Sequence, residues 1–215
     1  MQTQIVLLGL GVRSTLFYQE VLHNLYNKKF KGFSTCPLIV KQIDFNTINP
    51  YLPNGKNVII PILQEAIMPF NSFKTNLIVP NITLHSILDL MSFKLCIIHP
   101  IILLEHKLIE TSLKTCVVFG TRHTKGNSSI ATVLNNTETT LVNLDEDIIS
   151  FLDELRQAVY YNKETSTNVA KFKALVNEFS TNCLVIIACT ELSIINTNHT
   201  KNVIDLVQLQ CNAII

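Results

Sequence analysis

Two pairs of short apolar runs recur along this chain at nearly one offset, and that repeat constrains the fold more than any other feature. Residues 5–15 read IVLLGLGVRST and residues 116–124 read CVVFGTRHT. Each is an apolar strand, a glycine, a short turn and a threonine able to cap the next helix. Gly9 and Gly120 are 111 residues apart. Residues 77–83 read LIVPNIT and residues 184–190 read LVIIACT, each an apolar strand closed by a small polar pair, with Asn81 and Cys189 108 apart. Two coincident offsets indicate a duplication into halves of ~100 residues, an ordinary size for an α/β unit.

The remaining pattern fits. Candidate strands at 5–8, 38–43, 76–79, 94–98, 115–119, 140–144 and 184–188 alternate with helical stretches at 15–27, 58–71, 84–91, 102–112, 146–162 and 168–179. The strand runs are continuously apolar, as in strands buried on both faces. Strands alternating with helices give βαβ units and a mostly parallel sheet. The expected fold is α/β: two pseudo-symmetric parallel-sheet halves with the site in the cleft between them. The first half is expected at 1–98 plus a returning 200–215, the second at 99–199.

Composition excludes several classes. Hydrophobic residues are 47% and charged residues 15%, against ~25% charged in an average domain, which excludes a disordered chain. With 17 basic and 16 acidic residues and no basic block longer than Lys28-Lys29, no nucleic-acid partner is expected. The apolar stretch 95–104 is broken by His99 and Pro100, whereas a membrane span needs ~20 residues, so no membrane partner is expected. The first residues lack a basic region and run into a glycine turn, which reads as a strand rather than a signal peptide. Six cysteines lie in apolar segments without CxxC or zinc spacing. They are expected to be reduced thiols of a cytoplasmic protein with no metal site.

In open parallel sheets, ligands bind beyond the carboxyl ends of the strands. The turns at 9–15, 81–85, 120–124 and 189–191 all occupy such ends. Helix N-termini there favour an anion, and the hydroxyls of Thr15, Thr83, Thr121 and Thr190 can add donors. The expected ligand is a small carboxylate. Gly9-Leu10-Gly11 is not a dinucleotide fingerprint, because Ser14 stands where the third glycine belongs, and no P-loop occurs. Cys189 is the leading candidate for chemistry. It closes a strand just before a helix, with Thr190 and Glu191 following, so it is expected to be the accessible, low-pKa thiol among the six. A small buried packing residue is the alternative. His85 either orients a ligand or caps its helix.

These segments resemble the aspartate/glutamate racemase superfamily of cofactor-independent racemases over nearly the whole chain. LLGLGVRST at 7–15 is similar to the opening glycine turn, with Gly9, Arg13, Ser14 and Thr15. QIDF at 42–45 resembles the second strand, and NITLH at 81–85 the first catalytic motif. VVFGTRHT at 117–124, with Thr121, Arg122 and Thr124, resembles the Gly-Thr-Arg-x-Thr turn of one bacterial branch. IIACTEL at 186–192 resembles the second catalytic motif, and VIDL at 203–206 the returning strand. The resemblance implies two-base chemistry without pyridoxal phosphate or other cofactor, a thiol on each face of Cα, a small carboxylate or amino-acid ligand, and a homodimer.

The departures bear on activity. Cys189 aligns with the second catalytic cysteine and Thr190 with a carboxylate donor. Asn81 stands where the first catalytic cysteine belongs, and an amide cannot abstract a proton. The loop after Asp44-Phe45 lacks the arginine of the acidic-substrate members, Tyr160 falls where a lysine often stands, and Arg13 replaces an acidic residue. Three readings follow. The first is a racemase-type isomerase with altered, one-base or weak activity. The second is an inactive member that binds a small carboxylate or serves as an interaction module. The third is a single-cysteine decarboxylase-like enzyme of the same superfamily.

Overall fold

The apolar runs become parallel strands in the computed structural model, which describes residues 3–121 and 128–215. The chain divides into two units. The first runs to His99 and also takes Gln210–Ile215; the second is Pro100–Leu209.

The first unit contains β1 (Gln4–Gly9), α1 (Val12–Phe30), β2 (Leu38–Gln42), α2 (Lys56–Ile67), β3 (Thr75–Ile78), α3 (Ile82–Leu88) and β4 (Cys96–Ile97). Its sheet order is β2-β1-β3-β4, parallel throughout, with Ile5 opposite Leu38 and Leu7 opposite Ile78. The second unit contains α4 (Pro100–Ile109), β5 (Thr115–Phe119), α5 (Ser128–Asn136), β6 (Thr140–Leu141), α6 (Glu146–Tyr160), α7 (Ser166–Phe179), β7 (Leu184–Ile187), α8 (Thr190–Ile195) and β8 (Val203–Asp205). The last helix, α9 (Leu206–Asn212), carries the chain out of this unit. The sheet order is β6-β5-β7-β8, also parallel. The two sheets therefore share one strand order, as a duplication requires.

The boundaries differ from the sequence expectation at 200–209. These residues belong with the second unit, because Val203–Asp205 pairs with β7 as its fourth strand, Val185 opposite Val203 and Ile187 opposite Asp205. Only 210–215 return to the first unit. Gln210 is fully buried there. Tyr18 Oη donates to Gln210 Oε1 at 2.5 Å, and Gln210 Nε2 donates to the Ile98 carbonyl at 2.6 Å. Lys29 Nζ donates to the Ile215 carbonyl.

Each unit has its own core. Val6, Leu8, Leu77 and Val79 pack with Ile59, Leu63 and Ile67 of α2 and Leu84 and Leu88 of α3. Val117, Phe119, Val185 and Ile187 pack with Leu152, Leu155 and Val159 of α6 and Phe172 and Val176 of α7. Full burial of one such side chain stabilises by ~1.5–3 kcal/mol. Among the described residues no helix is long and apolar enough to cross a membrane.

Candidate functional site

Topology selects the positions. In the order 2-1-3-4 the chain steps from the first strand to one side and then returns to the other. At such a reversal the loops leaving the two central strands diverge and open a crevice at their carboxyl ends. In the first sheet those strands are β1 and β3, which end at Gly9 and just before Asn81. In the second they are β5 and β7, which end before Gly120-Thr121 and Cys189. Within each unit the fold thus brings the expected turns onto neighbouring strands. Arg122 and Thr124 lie outside the described residues.

The turn after β1 is closed by its own hydroxyls. Thr15 Oγ1 accepts from Leu10 N at 3.1 Å and donates to the Gly11 carbonyl at 2.7 Å. Ser14 Oγ donates to the same carbonyl at 3.0 Å. Each hydroxyl has one proton, so as folded neither offers it to a ligand. Gln42, at the end of β2, lies across this turn: its Nε2 donates to the Leu10 carbonyl at 2.8 Å. A Cβ on Gly9 would lie 2.2 Å from Gln42 Oε1. Arg13 is half-buried in the first turn of α1.

Asn81 caps α3. Its backbone is extended and its Oδ1 accepts from Leu84 N at 3.0 Å. Thr83 is half-buried on the first turn. His85 is 1% exposed, and its Nδ1 pairs with the Asn81 carbonyl at 2.9 Å, so this nitrogen carries the proton. Its ring lies 4.7 Å edge-on from that of His99, which pairs with Asp89 at 3.3 Å. Burial, with the charge of His99 adding to it, lowers His85 to about 3. His85 is therefore a neutral imidazole that grips the cap residue.

Cys189 caps α8 with the same extended backbone but makes no side-chain capping bond. Its Sγ donates to Glu191 Oε2 at 3.1 Å. Here the structure corrects the sequence. Cys189 is 5% exposed, not accessible, and its pKa is raised well above the ordinary thiol range, not lowered. Burial is the main cause and the Glu191 carboxylate adds to it. The Leu192 N–H and the Arg156 guanidinium act the other way and are outweighed. A helix of six residues presents too little dipole to reverse this. Cys96 is the exposed cysteine. Thr190 is buried on the first turn, and Glu191 is half-buried.

Three contributors escaped the sequence. Arg156 lies on α6, beside the buried Leu152, Leu155 and Val159, and its Nε donates to Asp153 at 2.8 Å. It is the cation whose field reaches the Cys189 thiol. Gln42 lies beside the recognisable Asp-Phe pair but carries no signal of its own. Asp205, at the end of β8, accepts from Ser193 Oγ at 2.8 Å, and Ser193 Oγ lies 3.2 Å from the Cys189 carbonyl. Among the described residues no group of three or more His, Cys, Asp or Glu could hold a metal ion.

No protein-family model and no curated protein sequence matches the chain. Its fold is nonetheless that of aspartate/glutamate racemase-type proteins. It is similar to an aspartate racemase homologue from Pyrococcus horikoshii OT3, at TM-score 0.80 and 16% identity, covering 99% of this chain and 97% of that one. It is similar to the Picrophilus torridus aspartate racemase at TM-score 0.79 and 18% identity, covering 100% and 93%. A proposed Asp/Glu racemase from Yersinia pestis gives TM-score 0.80 at 15% identity, covering 99% and 97%.

Proposed function

We propose that a chain with this fold is a cofactor-independent, racemase-type isomerase of a small α-carboxylate compound, an amino acid foremost, with Cys189 as its one working thiol. The observation that carries this reading is the Cys189–Glu191 hydrogen bond at the carboxyl end of a central strand. A thiol held against a carboxylate is a proton-transfer pair. Glu191 takes the thiol proton, the thiolate takes the α-proton from one face of Cα, and the same thiol returns a proton to the carbanion. Arg156 and the amides at the strand ends favour the negative charge that develops on the substrate carboxylate. The resting thiol is protonated, because its pKa is raised.

Asn81 occupies the corresponding strand end of the other unit and has no group that abstracts a proton. Chemistry on one face then gives mainly exchange of the α-proton with retention of configuration, and weak isomerisation only as far as water delivers a proton to the opposite face. The homodimer and the cytoplasmic setting implied by the resemblance belong to the same proposal. A second reading, binding of a small carboxylate without turnover, is favoured by one specific observation. The Asn81 side-chain oxygen is engaged as a helix cap and its carbonyl by His85.

The deciding measurement is NMR of α-proton exchange in D2O, for both enantiomers of an amino-acid panel, with Cys189→Ser as control. Exchange with retention, lost in Cys189→Ser, supports Cys189 as a one-face proton-transfer thiol, the half of a racemase reaction that a single thiol performs. Exchange with inversion reveals a base on the opposite face. No exchange with any amino acid overturns the isomerase reading and leaves binding or single-thiol decarboxylation.

A further inference from the structure

The helix that begins after Cys189 cannot hold itself. It has six residues, and isolated helices below ~12–15 residues are marginal in water. Its apolar side is anchored by Leu192 and Ile195 in the core. Its polar side is anchored by one carboxylate. Asp205 Oδ1 accepts from Ser193 Oγ at 2.8 Å and from Val207 N at 3.0 Å, and Oδ2 accepts from Asn196 Nδ2 at 3.4 Å. Gln208 N adds a contact at 3.4 Å. Asp205 is 5% exposed and these donors are all neutral. A buried carboxylate without a cation is costly, so its place in the fold calls for a reason.

The first unit supplies one. Four residues after Asn81 stands His85, and four residues after Cys189 stands Ser193. Each side chain approaches the carbonyl of its cap residue, at 2.9 Å for His85 and 3.2 Å for Ser193. In the second sheet Asp205 lies opposite Ile187. In the first, Leu77 lies opposite Ile97, and the same register carried two residues further sets His99 opposite Val79. His99 backs His85 edge-on at 4.7 Å, as Asp205 backs Ser193. An imidazole pair and a hydroxyl–carboxylate pair thus occupy equivalent positions. Different chemistry at one repeated position points to placement of the cap residue, not to a shared charge.

We infer that Asp205, acting through Ser193, is the positioning residue that holds the Cys189 thiol against Glu191. Ser193 has one hydroxyl proton, and the charged carboxylate takes it in preference to the Cys189 carbonyl. That fixes the rotation of α8 about its first turn, and with it the direction of the thiol. The inference rests on the function proposed above only in taking Cys189 as the working group.

The test is the pH profile of Cys189 alkylation by iodoacetamide, followed by peptide mass spectrometry. It compares Ser193→Ala, Asp205→Ala and Asp205→Asn with the parent, and buried Cys116 serves as internal reference. Ser193→Ala and Asp205→Ala are expected to raise the Cys189 rate about tenfold or more near neutral pH and to move its profile toward an ordinary thiol, since both burial and the Glu191 contact loosen. Asp205→Asn keeps an acceptor oxygen in place and restores most of the parent profile. The Cys116 rate stays constant. An unchanged Cys189 profile in folded Ser193→Ala overturns the inference, as does a rise matched at Cys116. If Asp205→Ala fails to fold, Ser193→Ala decides, because it leaves the carboxylate and its backbone bonds intact. The readout needs no turnover, so absence of α-proton exchange sinks the isomerase and leaves this inference standing.

Discussion

Asn81 and Cys189 hold nearly one backbone conformation at equivalent points of their sheets, φ −157° ψ 113° against φ −145° ψ 125°, yet only Asn81 caps its helix with its side chain. The same backbone serves two ends. In one unit the cap side chain is spent on the helix, and in the other it faces a carboxylate.

Asn81→Cys exchanges one use for the other. Loss of the capping bond is expected to cost about 1 kcal/mol, read as a lower midpoint in thermal unfolding, whereas Asn81→Ser retains most of that stability. Under the isomerase reading Asn81→Cys also supplies a second thiol and raises α-proton exchange with inversion. The gain is limited by how well the new thiol is oriented. Proton NMR in D2O reads it directly, and an Asn81→Cys protein that folds but gives no inversion counts against the isomerase reading.

The two charges around Cys189 act with opposite signs. Glu191→Gln removes a negative charge and is expected to move the alkylation profile of Cys189 to lower pH. Arg156→Met removes a positive one and is expected to move it to higher pH. Both profiles stay above the ordinary thiol range, since burial is the larger cause. Iodoacetamide rates across pH decide it; shifts of equal sign in the two variants would refute the assignment.

His85 makes stability depend on pH. Unfolded, its imidazole takes a proton near 6.5, and folded only at about 3. Between these values the unfolded chain binds a proton that the native state refuses. Stability from this residue is therefore complete above pH 6.5, falls as pH drops through the window, and levels off below about 3. The full effect is at most about 5 kcal/mol. His85→Gln is expected to flatten that slope in urea unfolding series, and a variant that runs parallel to the parent would contradict the burial account.

Gly9→Ala is expected to act through Gln42. The new Cβ displaces Gln42 Oε1, and with it the bond to the Leu10 carbonyl, a loss of about 1–2 kcal/mol. Combined with Gln42→Ala the second loss largely disappears. The double-mutant cycle should return a coupling of about 1 kcal/mol, and strict additivity would show that the two residues do not interact.

Strands were legible because buried parallel strands need continuous apolar runs, and residues 5–8, 115–119 and 184–188 have them. The strand Val203–Asp205 is legible as a strand, but it joins the second sheet rather than the first. Three residues cannot state which sheet edge they join. The helix Ser128–Asn136 is short, and its only signal is the helical spacing of Ile130, Val133 and Leu134, all buried. The place of Cys189 was written in its strand end, but its state was not. Whether a thiol is exposed and acidic depends on α6 packing beside it and on the rotamer of Glu191, neither of which is local in sequence. Gln42 and Asp205 stand inside the segments QIDF and VIDL, but they act through contacts with residues 32 and 12 positions away, which those segments do not state.

The Gln210 clasp ties the completion of the first unit to residues made after the second. Residues 100–209 form one uninterrupted stretch of chain, complete as soon as it leaves the ribosome, whereas the first unit needs Gln210 for its buried bonds to Tyr18 and Ile98. At ~5–20 residues per second, synthesis of the intervening unit takes on the order of 10 s. For that interval the earlier-made half waits with the Ile98 carbonyl without its Gln210 partner.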